Sequence, residues 1–458
     1  SVQTLTGVAG TASVTNASGA TIGGDVTIAA GTGTVTNSGG IAGSIYAGDE
    51  VANYTTTQTD TVTDTVQTVT PAAALTAQNY TINQNNFLGG GVYVSGATVS
   101  DPFGRADEPD VKTSNVSATV NLNNGSVTLG SIAAQQDEDG NRLTNTTLNL
   151  NGSGYLGADK LNLKTPTSAV YSPEAVLPKE AQDLGFGTGS TGSVRILGVE
   201  AVNKADAGTF VLDLAPYIVP DAPGLQPGWS ADVGAINVKA GEIQLTGPAY
   251  DPTDADGDFI GIKGNINVDG GTLVVGRRTL IGADTIGNSL TTEGTETITG
   301  VKVALTGDYT QTATGTTVVG VSPSLVRAGA VSVGTSNGGT EVLGPIQAGA
   351  NVPYFTTAAN GSSVQSSPSR IDVTGKLNLA GKLVVDVTRD AIYSNGDGYT
   401  LFSYTDAASA VGATVSQSIS SPFVSFELKN DTATKTVSIA AKRTSYASAA
   451  TNPNAASA

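Results

Sequence analysis

The sequence contains no cysteine, histidine or methionine among its 458 residues, and a single tryptophan. A Ser-His-Asp triad, a cysteine nucleophile and a tetrahedral zinc site each need an imidazole or a thiolate, so none of these chemistries is open to it. Charge is scarce too: charged side chains make up 13% of the chain, against about 25% in ordinary soluble domains. What charge there is leans one way, with 39 acids against 22 bases and a formal net charge of −17. Nucleic acids and anionic membrane surfaces are bound through clustered Lys and Arg, so neither is an expected partner. No apolar run approaches the roughly 18 residues of a spanning helix, so membrane insertion by this segment is not expected. The opening SVQTLTGVAG lacks a basic n-region and an apolar core, as expected once a signal peptide has been removed.

What is present is Gly, 58 residues of it, together with much Thr, Ser and Asn. Val, Ile and Leu recur regularly, which separates the chain from disordered compositions. An echo appears early: GTASVTNASG at 10–19 returns as GTGTVTNSGG at 31–40, a spacing of 21 residues. Alternating apolar and polar residues recur at 120–132, 145–164, 234–247, 264–276 and 371–387, with Gly and Asn at the corners. Period-2 alternation marks strands with one buried face, and Gly and Asn accept the positive φ of tight corners. Short strands repeating every ~20 residues predict an all-β fold, a parallel β-helix whose successive coils stack like on like; a β-sandwich is the alternative.

Three stretches break the rhythm. Residues 51–70 form a Thr ribbon whose only charges are Asp60 and Asp64, read as a projecting strand or hairpin. Residues 165–186 carry a short helical pattern, with Ser172 as N-cap, Pro173 in the first turn and Gly185 as the stop. Residues 215–230 are proline-rich, hold the only Trp and read as an extended excursion. The resulting division is 1–50 as N-terminal coils, 51–120 as ribbon and acidic loop, 121–370 as coils with insertions (165–230 irregular), 371–445 as a terminal cap and 446–458 as a tail.

Calcium is the candidate cofactor. Asp251, Asp254, Asp256 and Asp258 lie in DPTDADGDF, and Asp137 and Asp139 in QDEDGN. Hard cations take six to eight oxygens, which such loops can supply in part. The EF-hand pattern fails, because Phe259 stands where the loop should continue. A third acidic loop, DPFGRADEPD at 101–110, invites the same reading but ranks behind these two, and the other reading of each loop is a solvated turn. GFGTGSTG at 185–192 spells G-x-G-x-x-G but precedes a strand rather than a helix, so it reads as a flexible turn. Arg277 and Arg278 read as a solubilising corner.

The ordered set SRIDVTGKLNLAGKLVVDV (369–387), GDGYTLFSYTDAASAVGATV (396–415) and FVSFELKNDTATKTVSIAAKRTSYASAATNPNAASA (423–458) resembles the end of an autotransporter passenger. Leu379, Gly381, Leu383 and Val385 match the family's terminal coil, and Gly396, Asp397, Tyr399 and Leu401 its next element. The resemblance covers under a quarter of the chain. It implies a right-handed parallel β-helix, an autochaperone-like cap at 371–445, and export to the surface of a Gram-negative bacterium. No barrel follows Ala458, which implies a passenger separated from its barrel. The composition is similar to that of surface-layer proteins. The expected function is therefore an extracellular structural protein or adhesin rather than an enzyme. It would associate with its own copies, as homo-oligomer or polymer, through strand addition, or with a cell-surface glycan or other cells. A secreted polysaccharide-acting enzyme or sugar-binding module is the second expectation, and it requires Asp, Arg, Lys and aromatic residues to cluster.

Overall fold

The computed structural model describes residues 3–48, 77–96, 116–157 apart from 138–139, 194–219, 228–250 and 257–321 with gaps between 282 and 294. It also describes 368–444 with brief gaps, and the strand fragments 325–326, 355–357 and 363–365. The Thr ribbon, the 165–186 pattern, the 101–110 and 185–192 loops and the 446–458 tail lie outside these residues. All regular structure among the described residues is β.

The strands form because polar and apolar residues alternate. Gln78–Gln84, Val116–Leu122 and Thr144–Leu150 each bury every second side chain. Stacked in parallel, the buried positions make continuous columns. One runs Val35, Ile82, Val120, Leu148, Val202, Ile236, Ile266, Tyr309 and Leu377, strand against strand. Each of these side chains is almost completely buried, and full burial of an aliphatic side chain contributes about 1.5–3 kcal/mol. The 21-residue echo is the register itself, since Thr11 pairs with Thr32 and Asn16 with Asn37.

The expected right-handed parallel β-helix is corrected by the way these strands close. Val26–Asn37 pairs through its first part with Ile45–Ala47 and through its second with Gln78–Gln84. One file continues through Val92–Val94 and Ile132–Ala134, the other through Val116–Leu122 and Thr144–Leu150. Both files end on Ile196–Lys204. Eight parallel strands thus form a closed barrel, and a second, 11-stranded parallel sheet accompanies it. The physical reason lies in strand length, which a repeat period does not reveal. At about 3.3 Å per residue, the 12-residue strand Val26–Asn37 is roughly 40 Å long, enough to carry two shorter strands end to end. Ile196–Lys204 does the same by bending at Gly198, whose φ of 71° coincides with a register shift between Leu197 and Val199. A Cβ there would meet the Ala134 carbonyl at 2.2 Å.

Beyond the barrel the sheet continues in parallel through Ala231–Val238 and Ile260–Val268 to Arg370–Val373. Within 371–445 the parallel pairing of the two large sheets continues through Gly398–Tyr404, Ala410–Val411 and Thr414–Gln417, and turns antiparallel only in the last two strands. Thr436–Arg443 pairs antiparallel with Gly398–Tyr404 on one side and with Val424–Asp431 on the other. Phe402 is fully buried 5.6 Å from Tyr309, and Tyr393 packs edge-on to Tyr399 and Phe426.

Candidate functional site

The residues expected to bind calcium are not brought together among the described residues. Asp251, Asp254, Asp256 and Asp139 lie outside them, and Asp258 is exposed. Asp137 serves its own turn: its two carboxylate oxygens accept the Asn141 backbone N–H at 2.8 Å and the Asn141 amide at 3.0 Å. The same loop is tied down beside it. Asp232, almost wholly buried, accepts Arg142 Nη2 at 3.1 Å, Lys263 Nζ at 2.9 Å and Gln136 Nε2 at 3.0 Å. A buried carboxylate needs such compensation, and three donors provide it. No group of three acidic residues able to hold a metal occurs among the described residues. Arg277 and Arg278 lie in a strand, Arg277–Ile281, paired antiparallel with Thr295–Thr299.

Polar side chains on the large sheet repeat as regularly as the apolar ones. Asn121 donates to Asn83, Asn149 to Asn121, Asn203 to Asn149, Asn237 to Asn203 and Asn267 to Asn237, at 2.8–3.2 Å. Each amide between the two ends of this ladder donates to the strand before it and accepts from the strand after it. Parallel in-register stacking makes this possible, because identical side chains then lie one strand spacing apart. A buried ladder, Asn16 to Asn37 to Gln84, runs at the N-terminal end. Lys204 is fully buried and bonded to the Asp206 side chain and, at 2.7 Å, to the Asp206 carbonyl. Burial pushes the Asp206 pKa up, but the Lys204 bond and the Gly152 N–H outweigh it and hold the carboxyl below its ordinary value.

One outward cluster has chemistry that the fold does not require. Arg195 donates to the carbonyls of Gly228 and Trp229 at 2.6 Å and of Pro216 at 2.9 Å, pinning both legs of the proline-rich excursion. Pinned in this way, Tyr217 stacks on Phe259 at 5.1 Å and meets Trp229 edge-on at 5.1 Å. Only glycine fits beneath, because a Cβ on Gly261 would meet the Tyr217 ring at 2.4 Å. Lys302 Nζ lies 5.3 Å from the Phe259 ring centre and 5.9 Å from that of Tyr250, within cation–π range. Register sets the next row: Lys302 pairs with Arg370 and Ala304 with Asp372. Arg370 Nε donates to Asp372 at 2.7 Å and Lys302 Nζ lies 3.9 Å from it. Burial lowers the Arg370 pKa, but Asp372 and the hydrogen bond with Tyr250 outweigh it, and the net shift is upward.

Sequence reading did not single out this cluster. Its signal was aromatic residues at the rims of the two insertions: Tyr217 and Trp229 at either end of the proline-rich stretch, Tyr250 and Phe259 flanking the acidic one. No protein-family model matches the chain, and no curated protein and no solved structure matches it.

Proposed function

We propose that the protein is an extracellular structural protein of a bacterial outer surface that associates with its own copies by strand addition. The observation that carries this reading is the strand Gln3–Asn16. It is 14 residues long, contains no charged residue, and among the described residues pairs on one side only, with Val26–Asn37. An unpaired edge of this kind is a template for another strand, and natural sheets usually blunt it with charge. The in-register ladders supply a rigid body, and the resemblance of 369–458 to an autotransporter passenger supports the extracellular location. Sedimentation velocity over a range of concentrations tests the proposal. The unmodified protein is expected to form larger species as concentration rises. Thr15→Lys, on an exposed position of that strand, should leave a monomer with an unchanged melting temperature. A monomer at every concentration, or assemblies indifferent to Thr15→Lys, would sink it.

A further inference from the structure

From the cluster around Tyr217 we infer a second property, independent of self-association: a surface site for a neutral saccharide chain. Four aromatic rings from the rims of two insertions gather with a Lys, an Arg and an Asp on the parallel sheet. Tyr217, Trp229, Tyr250 and Phe259 are each only partly buried. The next two residues of the excursion, Ile218 and Val219, are 55% and 65% exposed. In a chain with 5% aromatic residues, such a gathering of partly open rings is not what core packing asks for, and open apolar patches rimmed by polar groups mark binding surfaces.

The polar half of the cluster selects the ligand. Asp372 is held by Arg370 and faced by Lys302, and the exposed Asp258 precedes Phe259 in the chain. Arg370 and Lys302 thus already share Asp372, and an anionic ligand would have to compete with that carboxylate in its paired, half-buried position, which is costly. A neutral sugar ring needs no such displacement. Its C–H face can lie on an aromatic ring, while its hydroxyls can both donate to Asp372 and accept from Arg370, Lys302 and the Tyr250 hydroxyl. Arg195 and Gly261 hold Tyr217 in place before any ligand arrives, so little ordering cost falls on binding.

Trp229 is the only tryptophan, so its emission reports on this site alone. Titration of the full chain with cellohexaose, maltohexaose, laminarihexaose and mannohexaose is expected to give a saturable emission change with at least one of them. Tyr217→Ala should weaken that binding by at least about tenfold. Tyr217→Phe, which keeps the platform and the fold, should bind within about twofold of the unmodified protein. Tyr46→Ala, which removes one ring of the separate Tyr46–Tyr93 stack, should change nothing. The inference is overturned if none of the four oligosaccharides binds, or if only an oligogalacturonate does. It is equally overturned if Tyr217→Phe loses binding as completely as Tyr217→Ala, or if Tyr217→Ala abolishes self-association, which would make the cluster a contact between copies.

Discussion

The large sheet ends differently on its two sides. On one side Gln3–Asn16 continues the parallel stack, carries no charge and has one neighbour among the described residues. On the other, the direction of pairing reverses into the hairpin of Val424–Asp431 and Thr436–Arg443, whose outer strand exposes Glu427, Lys429 and Asp431. The hairpin turns through Lys435, the only non-glycine residue with positive φ among those described, at 53°. Both sides bury their inward residues against the same core. Burial therefore does not distinguish them; the chemistry of the outermost strand does. One side is built to stop a sheet, and the other lacks the usual devices for stopping it.

The largest effect that tests this contrast is a cavity on either side. Phe402 is fully buried beside Tyr309 and beneath the hairpin, so Phe402→Ala should cost about 3–5 kcal/mol. Val14, 4% exposed on the open side, loses only two methyl groups in Val14→Ala, and about 1.5 kcal/mol is expected. Urea denaturation measures both. Equal losses would show that the two sides are equally integrated and that the contrast is confined to surface charge.

The Asn ladder gives the next effect. Asn149 accepts from Asn203 and donates to Asn121, whereas Asn267 at the ladder's far end makes one such bond, to Asn237. Asn149→Ala removes one ladder bond from each of two partly buried amides, Asn121 and Asn203, and should cost about 1–3 kcal/mol, with Asn267→Ala costing roughly half as much. A smaller loss at Asn149 than at Asn267 would mean that water replaces the ladder without penalty.

Much of the stacking was legible in the chain. The 21-residue echo is the register of the first two long strands, and the alternation at 234–247 and 264–276 appears as Ala231–Val238, Glu242–Thr246, Ile260–Val268 and Thr272–Val275. Closure was not legible, because it depends on two strands being long enough to serve two neighbours each, and pattern alone does not set strand length. Stacked partners also drift out of period: ladder asparagines are separated by 38, 28, 54, 34 and 30 residues as insertions of unequal size intervene. The aromatic cluster was hidden for the same reason. Tyr217, Phe259, Lys302 and Arg370 become neighbours only through the sheet register and the Arg195 clamp. Of the acidic-loop residues that the structure describes, Asp137 serves its own turn, bonded to Asn141.

The smallest effect separates the two sides by pH. Gln3–Asn16 contains no titratable side chain, so its pairing carries no acid response of its own. The hairpin turn does carry one, because Asp431 accepts the backbone N–H of Ala433 at 2.9 Å and of Thr434 at 3.2 Å. The Thr434 side chain, then the Thr434 and Ala433 amides, hold its carboxyl below the ordinary value. A carboxyl depressed in the folded state stabilises that state above its unfolded pKa, and the contribution disappears as pH falls through the folded value. Hydrogen exchange at Ala433 and Thr434 should therefore speed up in acid beyond its intrinsic pH dependence, while exchange in the ladder strands Gln78–Gln84 and Val116–Leu122 follows the intrinsic curve. Asp431→Ala should show the faster hairpin exchange already at neutral pH and lose the extra acid response. If the unmodified hairpin kept its protection in acid, Asp431 would not be what fastens this turn.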